Sequence, residues 1–155
     1  MLDKSDNGRL IMKHLEVVGA VIVYDGKVLC MQRGEGKYPY VSFKYEFPGG
    51  KVEAGETHPE ALMRELREEM NFDVSITEDD YLTTVNHKYP DFEMTMYCYL
   101  CHPTSPEFTR KEHINHVWAL PKEMMDLDWA PADIPVAKLV SKKLTKKRCT
   151  KTSQQ

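Results

Sequence analysis

A chain of 155 residues and 18.0 kDa can bury one sizeable core and is too short for two comfortable domains. Its 41% hydrophobic and 29% charged residues are those of an ordinary globular protein, and a net charge of -3 excludes a general electrostatic grip on nucleic acid or an anionic membrane. The first seven residues carry acids where an export signal would carry a basic flank and an apolar run, and the longest apolar stretch, residues 17–24, is far below a membrane span. A cytoplasmic protein acting on a small molecule is expected. Cysteines at 30, 98, 101 and 149 form no disulfide framework, in keeping with a reducing compartment.

In chain order, residues 15–24 and 27–32 read as two strands joined by Asp25-Gly26, a dipeptide that tolerates positive φ at both positions of a tight hairpin turn. Residues 1–12 are set apart as an N-terminal extension, with the domain spanning 13–144. Residues 34–44 read as a loop, and 45–47 as a short strand entering Pro48-Gly49-Gly50. Thr57-His58-Pro59-Glu60 is a capping box ahead of strong helix formers, which predicts a helix over residues 58–70. Asn71 sits where the helix must turn left-handed, a place Asn fills second only to Gly.

Residues 72–76, 81–88, 93–102 and 114–119 read as further strands, and 121–125 as a helical turn. Pro131 is preorganised to open a last helix reaching about residue 144. Residues 145–155 form a basic polar tail, expected to be a solvated, disordered end. Cys98-Tyr99-Leu100-Cys101-His102 spells a haem-attachment motif, but on a strand its two thiols point to opposite faces, so core or strand-surface cysteines are expected there. The sum is an α/β protein whose elements follow the order of an α/β/α sandwich.

The chemistry gathers on the first helix. Glu65, Glu68 and Glu69, at i, i+3 and i+4, emerge on one side. Taken alone they could be a solvated face balanced by Arg64 and Arg67. Leu62, Leu66 and Met70, however, form the apolar stripe that packs on the sheet, so the acids flank the core. Clustered carboxylates repel unless a cation is supplied, and hard Mg²⁺ accepts such oxygens together with those of phosphate. Upstream, Gly49-Gly50-Lys51-Val52-Glu53-Ala54-Gly55-Glu56 is a glycine-rich loop leading to the helix start, of the kind that lets backbone approach a phosphate or metal.

Gly50, Glu56 after five intervening residues, Arg64-Glu65-Leu66-Arg67-Glu68-Glu69 after seven more, then Asn71-Phe72, together resemble the Nudix box. The pattern departs only at Asn71, where the family has glycine. The resemblance extends over about residues 15–144 to MutT-like pyrophosphohydrolases. It implies an α/β/α sandwich with a mixed β-sheet and hydrolysis of a nucleoside triphosphate to monophosphate and pyrophosphate. It also implies Mg²⁺, with Mn²⁺ as an alternative, held by Glu65, Glu68, Glu69 and the Gly49 carbonyl. Arg64 and Glu56 would orient those ligands, Lys51 would face the phosphates, and Glu112 would be a further metal-binding acid from outside the helix. Glu65 is the first choice of general base, with Glu68 and Glu112 open.

The same resemblance puts Arg33, Phe47 and the start of the last helix around the base. Ala130-Pro131-Ala132-Asp133-Ile134-Pro135 is especially similar to the CTP pyrophosphohydrolase branch. A carboxylate at Asp133 suits an exocyclic amine; equally, Asp133 could simply cap the last helix. Sanitation of 8-oxo-dGTP or turnover of CTP and modified dCTP is therefore expected, by a monomer or homodimer. The alternatives are hydrolysis of ADP-ribose or another nucleotide sugar, and a non-catalytic regulatory domain using its basic tail. His58, His87, His113 and His116 show no ligand spacing and read as surface or strand positions.

Overall fold

A computed structural model of the chain describes residues 2–4 and 10–153, with side chains for residues 12–145. Strands β1 (Leu2–Lys4), β2 (Leu10–Tyr24), β3 (Lys27–Gln32), β4 (Tyr45–Glu46) and β5 (Gly49–Lys51) precede helix α1 (His58–Met70). Strands β6 (Tyr81–Lys88), β7 (Phe92–Cys101) and β8 (Asn115–Ala119) follow, and helix α2 (Ile134–Ser153) comes last, entered through a 3₁₀ turn at Pro131–Asp133.

The sheet is mixed. Its path is β4-β3-β2-β7-β6, with β1 and β5 also pairing to β2 and β8 to β3. The long strand β2 runs parallel to β7 from Lys13 opposite Phe92 to Ile22 opposite Cys101, and antiparallel to its hairpin partner β3. Asp25 (φ 51°) and Gly26 (φ 74°) make the two-residue turn expected of them.

Both faces of the sheet are covered, which explains the continuous apolar runs in β2 and β3. Val18, Ala20, Ile22, Leu29 and Met31 pack against Ala61, Leu62, Leu66 and Met70 of α1. Their neighbours Val21, Val28 and Cys30 face the other way, against Val136, Ala137 and Val140 of α2. The sandwich is therefore the α/β/α arrangement anticipated. Cys98 lies in the α2-side core and Cys101 in the α1-side core, so the two thiols of the haem-like motif do diverge, and burial raises the pKa of both.

Four boundaries differ from the sequence reading. Residues 72–76 join no strand; Phe72 and Ile76 are instead buried in the core under α1. The segment read as a glycine-rich loop is strand β5, pairing Gly49–Lys51 with residues 17–19 of β2. β2 starts at Leu10 and its first residues pair with β1, so the backbone ladder reaches into the segment set apart as an extension. Finally, α2 continues past residue 144 to Ser153: no glycine or proline interrupts 145–153, and lysine and arginine propagate a helix once it has started. The side chains of that basic segment, Cys149 included, lie outside the described residues.

Candidate active site

α1 begins where the sequence demands. The Thr57 hydroxyl accepts from the Glu60 amide at 3.2 Å, and the Glu60 carboxylate accepts from the Thr57 amide at 2.8 Å. It ends at Asn71, left-handed at φ 51° and ψ 37°. Between these caps, the buried stripe of Leu62, Leu66 and Met70 turns Glu65 and Glu69 toward the edge of the core and leaves Glu68 outermost.

β5 passes directly beneath the first of these acids. A Cβ added at Gly50 would overlap the Glu65 carboxyl group, lying 2.7 Å from Oε1, and one added at Gly49 would run into the Val18 backbone. The two glycines are thus a steric necessity, letting one strand pass between β2 and a carboxylate of α1.

Arg64 is the hub. Its Nε and Nη2 donate to Glu56 Oε2 and Oε1 at 2.6 and 3.0 Å, and Nη2 also donates to the Lys51 carbonyl at 3.0 Å. Nη1 donates to Glu65 at 3.0 Å and to Glu68 at 3.2 Å, with Glu53 at 3.7 Å. The planar guanidinium thus joins β5, the turn after it and α1 in one bonded unit, as only arginine's fork can. Its hydrogen bonds hold the Glu56 carboxyl below the usual carboxylate range. Glu65 goes the other way: desolvation raises its pKa, opposed by Arg64. Glu69 is raised too, first by burial and then by Glu112, whose carboxyl comes within hydrogen-bonding reach. Glu112, from outside the helix, therefore faces Glu69.

Lys51 stands exposed on β5, its carbonyl engaged with Arg64. Among the described residues no three acids, imidazoles or thiols converge into a closed metal cage: Glu65 is drawn to Arg64 while Glu69 faces Glu112. The donor chemistry nonetheless suits a hard divalent cation, with carboxylates at Glu65, Glu69 and Glu112 beside a strand that approaches Glu65 too closely for any side chain at Gly50.

The residues expected around a base form a second polar group. Arg33 Nη1 donates to Glu46 Oε1 at 3.1 Å, and Glu46 Oε2 lies 2.8 Å from His113 Nε2. Arg33 Nε is buried without a hydrogen-bond partner. Asp133 is 6% exposed and accepts from the Phe47 amide at 3.1 Å, so its carboxylate ties the entrance of α2 to the strand before the glycines. Burial, reinforced by Glu46, pushes its pKa up. The Phe47 ring stacks on Trp129 at 4.7 Å and both are buried, so these rings are core walls. Tyr89 accepts from the Ala132 amide at 3.0 Å and closes the group from β6's end.

Three participants escaped the sequence reading. Glu46 and His113 form a half-buried pair at a position where His113 had been expected at the surface or in a strand; the available clue was a carboxylate in an otherwise apolar strand leading to Pro48. Lys111 donates to the Glu68 carbonyl and to Asn71 Oδ1, which only contact across the fold reveals. A separate open cleft of about 310 Å³, lined by Pro106, Glu107, Phe108, Arg110, His116 and Trp118, lies beside β8 and includes none of the expected site residues.

With this α/β/α sandwich, and with Arg64 bonded to Glu56 and Glu65 beside the Gly49–Gly50 strand, the chain belongs to the Nudix family of hydrolases. The NUDIX domain family model matches residues 13–140. The chain is 35% identical over 128 residues to the CTP pyrophosphohydrolase of Escherichia coli (strain K12), covering 81% of this chain and 90% of that protein. It is 31% identical over 127 residues to the 8-oxo-dGTP diphosphatase of the same organism, covering 81% and 95%. The solution structure of MutT from methicillin-resistant Staphylococcus aureus 252 superposes with a TM-score of 0.67 at 38% identity, covering 86% of this chain and 99% of that one. By this membership the chain is an enzyme of the pyrophosphohydrolase class. Among the described residues no helix is long and apolar enough to cross a membrane.

Proposed function

We propose that the enzyme adds water across the α–β anhydride of a nucleoside triphosphate, releasing nucleoside monophosphate and pyrophosphate, in a Mg²⁺-dependent reaction that Mn²⁺ can also support. The observation that carries this reading is the Arg64 hub, which holds Glu56, Glu65 and Glu68 together with Glu65 packed on Gly50, while Glu69 one turn along faces Glu112. Glu65, Glu68, Glu69, Glu112 and the Gly49 carbonyl would hold the cation. When bound, it lowers the pKa of the attacking water and offsets charge on the departing diphosphate. Glu65 takes the water's proton: its burial lifts its basicity toward what a general base needs. Arg64 and Glu56 keep the carboxylates in register, and Lys51, free on the outer edge, meets the phosphates.

Base selection rests on Arg33, Glu46 and Asp133. A buried acid tied to the Phe47 amide and flanked by a second acid and a guanidinium can exchange hydrogen bonds with an exocyclic amine and a ring nitrogen, as on cytosine or an oxidised guanine. Phe47, being core, supports Asp133 rather than stacking on the base. The relatives named for CTP and 8-oxo-dGTP favour a triphosphate over a nucleotide sugar.

The test is a phosphate-release screen with added pyrophosphatase and Mg²⁺ across normal and oxidised nucleoside triphosphates and, with a phosphatase-coupled readout, ADP-ribose, on the wild type and Glu68→Gln. Turnover of a cytosine or 8-oxoguanine triphosphate, lost in the variant, is the expected result. Turnover of ADP-ribose alone, or silence on every substrate with either metal, would overturn it.

A further inference from the structure

The one departure from the Nudix box, Asn71, makes a contact that glycine could not. The helix exit needs a left-handed residue, and glycine supplies that conformation more readily than asparagine. What asparagine adds is Oδ1, which accepts a hydrogen bond from Lys111 Nζ at 3.0 Å. The same ammonium donates to the Glu68 carbonyl at 3.1 Å, one of the carbonyls left free at the end of α1, where a cation is also favoured by the helix dipole. Two residues earlier, the Thr109 amide donates to the Met70 carbonyl at 2.8 Å. Three hydrogen bonds therefore fasten the segment between β7 and β8 to the last turn of α1, immediately before Glu112.

We propose that Asn71 and Lys111 act as a clamp that positions Glu112 against Glu69, so that the acid from outside the helix joins the metal-binding set only while the clamp is closed. The inference rests on the reading of Glu112 as a metal ligand. Lys111 touches neither metal nor substrate in this account; it is a positioning residue acting through the backbone of its neighbour. The Thr109 bond is made by backbone alone and survives any change of side chain, so the clamp is the part that sequence can vary. Where glycine follows the helix, a lysine at this place would find only the carbonyl; here asparagine gives it a second acceptor and fixes its direction.

The experiment is Mn²⁺ binding to nucleotide-free protein, followed by electron paramagnetic resonance, for the wild type, Asn71→Gly, Lys111→Met, the double variant and Glu112→Gln, with thermal midpoints of the metal-free forms alongside. Each single clamp variant should bind Mn²⁺ about tenfold more weakly, in the range seen when groups supporting a metal ligand are removed. The double variant should be no worse than Lys111→Met, because Asn71 acts in the clamp only through the Lys111 ammonium. Asn71→Asp and Lys111→Arg, which keep an acceptor and a donor, should recover most of the affinity. Asn71→Gly should leave the metal-free midpoint intact, since glycine is at ease at φ 51°, which separates positioning from folding. Losses that simply add in the double variant, or unchanged binding in Asn71→Gly and Lys111→Met while Glu112→Gln weakens it, would overturn the clamp and leave Glu112 as a ligand. Unchanged binding in Glu112→Gln would instead show that the reading of Glu112 has failed, and the clamp with it.

Discussion

Arg64 and Glu56 meet in a two-point ion pair, Nε to Oε2 at 2.6 Å and Nη2 to Oε1 at 3.0 Å, and the arginine that makes it also holds Glu65 and Glu68. Lysine at 64 could keep the charge but not the fork. Arg64→Lys is therefore expected to reduce kcat/KM by roughly tenfold to a hundredfold, as for other supports of metal ligands, with far-ultraviolet circular dichroism unchanged. Activity within twofold of wild type would remove Arg64 from its organising place.

The contact between Gly50 and Glu65 leaves no room for a methyl group. Gly50→Ala must push the Glu65 carboxyl away from Arg64 or lift β5 off β2. It is expected to lose about 1–3 kcal/mol of stability through overpacking, measured by urea unfolding, and to lose most of its turnover. Gly50→Ala with full activity would show that the carboxylate has slack the structure does not give it.

Glu69 and Glu56 should respond to pH in opposite directions. The pKa of Glu69 is raised in the fold by burial and by Glu112, so its ionisation weakens the metal-free protein as pH climbs through and above the ordinary value of 4.5. In EDTA at neutral pH, Glu69→Gln should melt higher than wild type, and that advantage should vanish as pH falls below the carboxyl range. The pKa of Glu56 is lowered by Arg64, so it contributes stability that is present above 4.5 and lost as pH falls through its depressed value. Glu56→Gln should therefore melt lower than wild type at neutral pH, with the difference closing in acid. Melting curves from pH 3 to 8 that show the same sign for both variants would contradict the assignment of causes.

Asp133 joins α2 to the strand before the glycines through the buried Phe47 amide. Asp133→Ala strands that donor, at about 1–3 kcal/mol by the penalty for an unsatisfied buried group, whereas Asp133→Asn keeps an acceptor and should be nearly neutral in urea unfolding. In the triphosphate screen both should flatten the preference among bases while a poor generic substrate is still turned over. Unchanged base preference in both variants would confine Asp133 to its structural bond.

Much of this molecule was legible in one dimension because its strongest signals are local. The capping box of Thr57 and Glu60, the left-handed exit at Asn71, and the hairpin turn at Asp25-Gly26 are each fixed by residues within a few positions of one another, and all three formed as read. That Glu56, Arg64 and Glu65 would act together was implied by the resemblance to the Nudix box, which those residues and Gly50 carry within one stretch of chain. The cluster at Arg33, Glu46, His113 and Asp133 was only half legible, because its members come from four separate stretches of chain and bury charges whose partners lie far away in sequence.

What the sequence determined, then, was the helix, its caps and stripe, the alternation that sends Cys98 and Cys101 to opposite cores, and the acids that would face a cation, since backbone preference and side-chain periodicity act over a turn or two. What only the tertiary structure decided was where chains meet. Residues 72–76 joined no strand, and Phe72 and Ile76 were instead buried in the core. The glycine segment became a strand because β2 lay open to receive it. Lys111, forty residues beyond Asn71, met the end of α1, and its neighbour Glu112 came to face Glu69. Contacts of that range depend on how layers pack and which backbone edges remain free, and neither is written in any single stretch of residues.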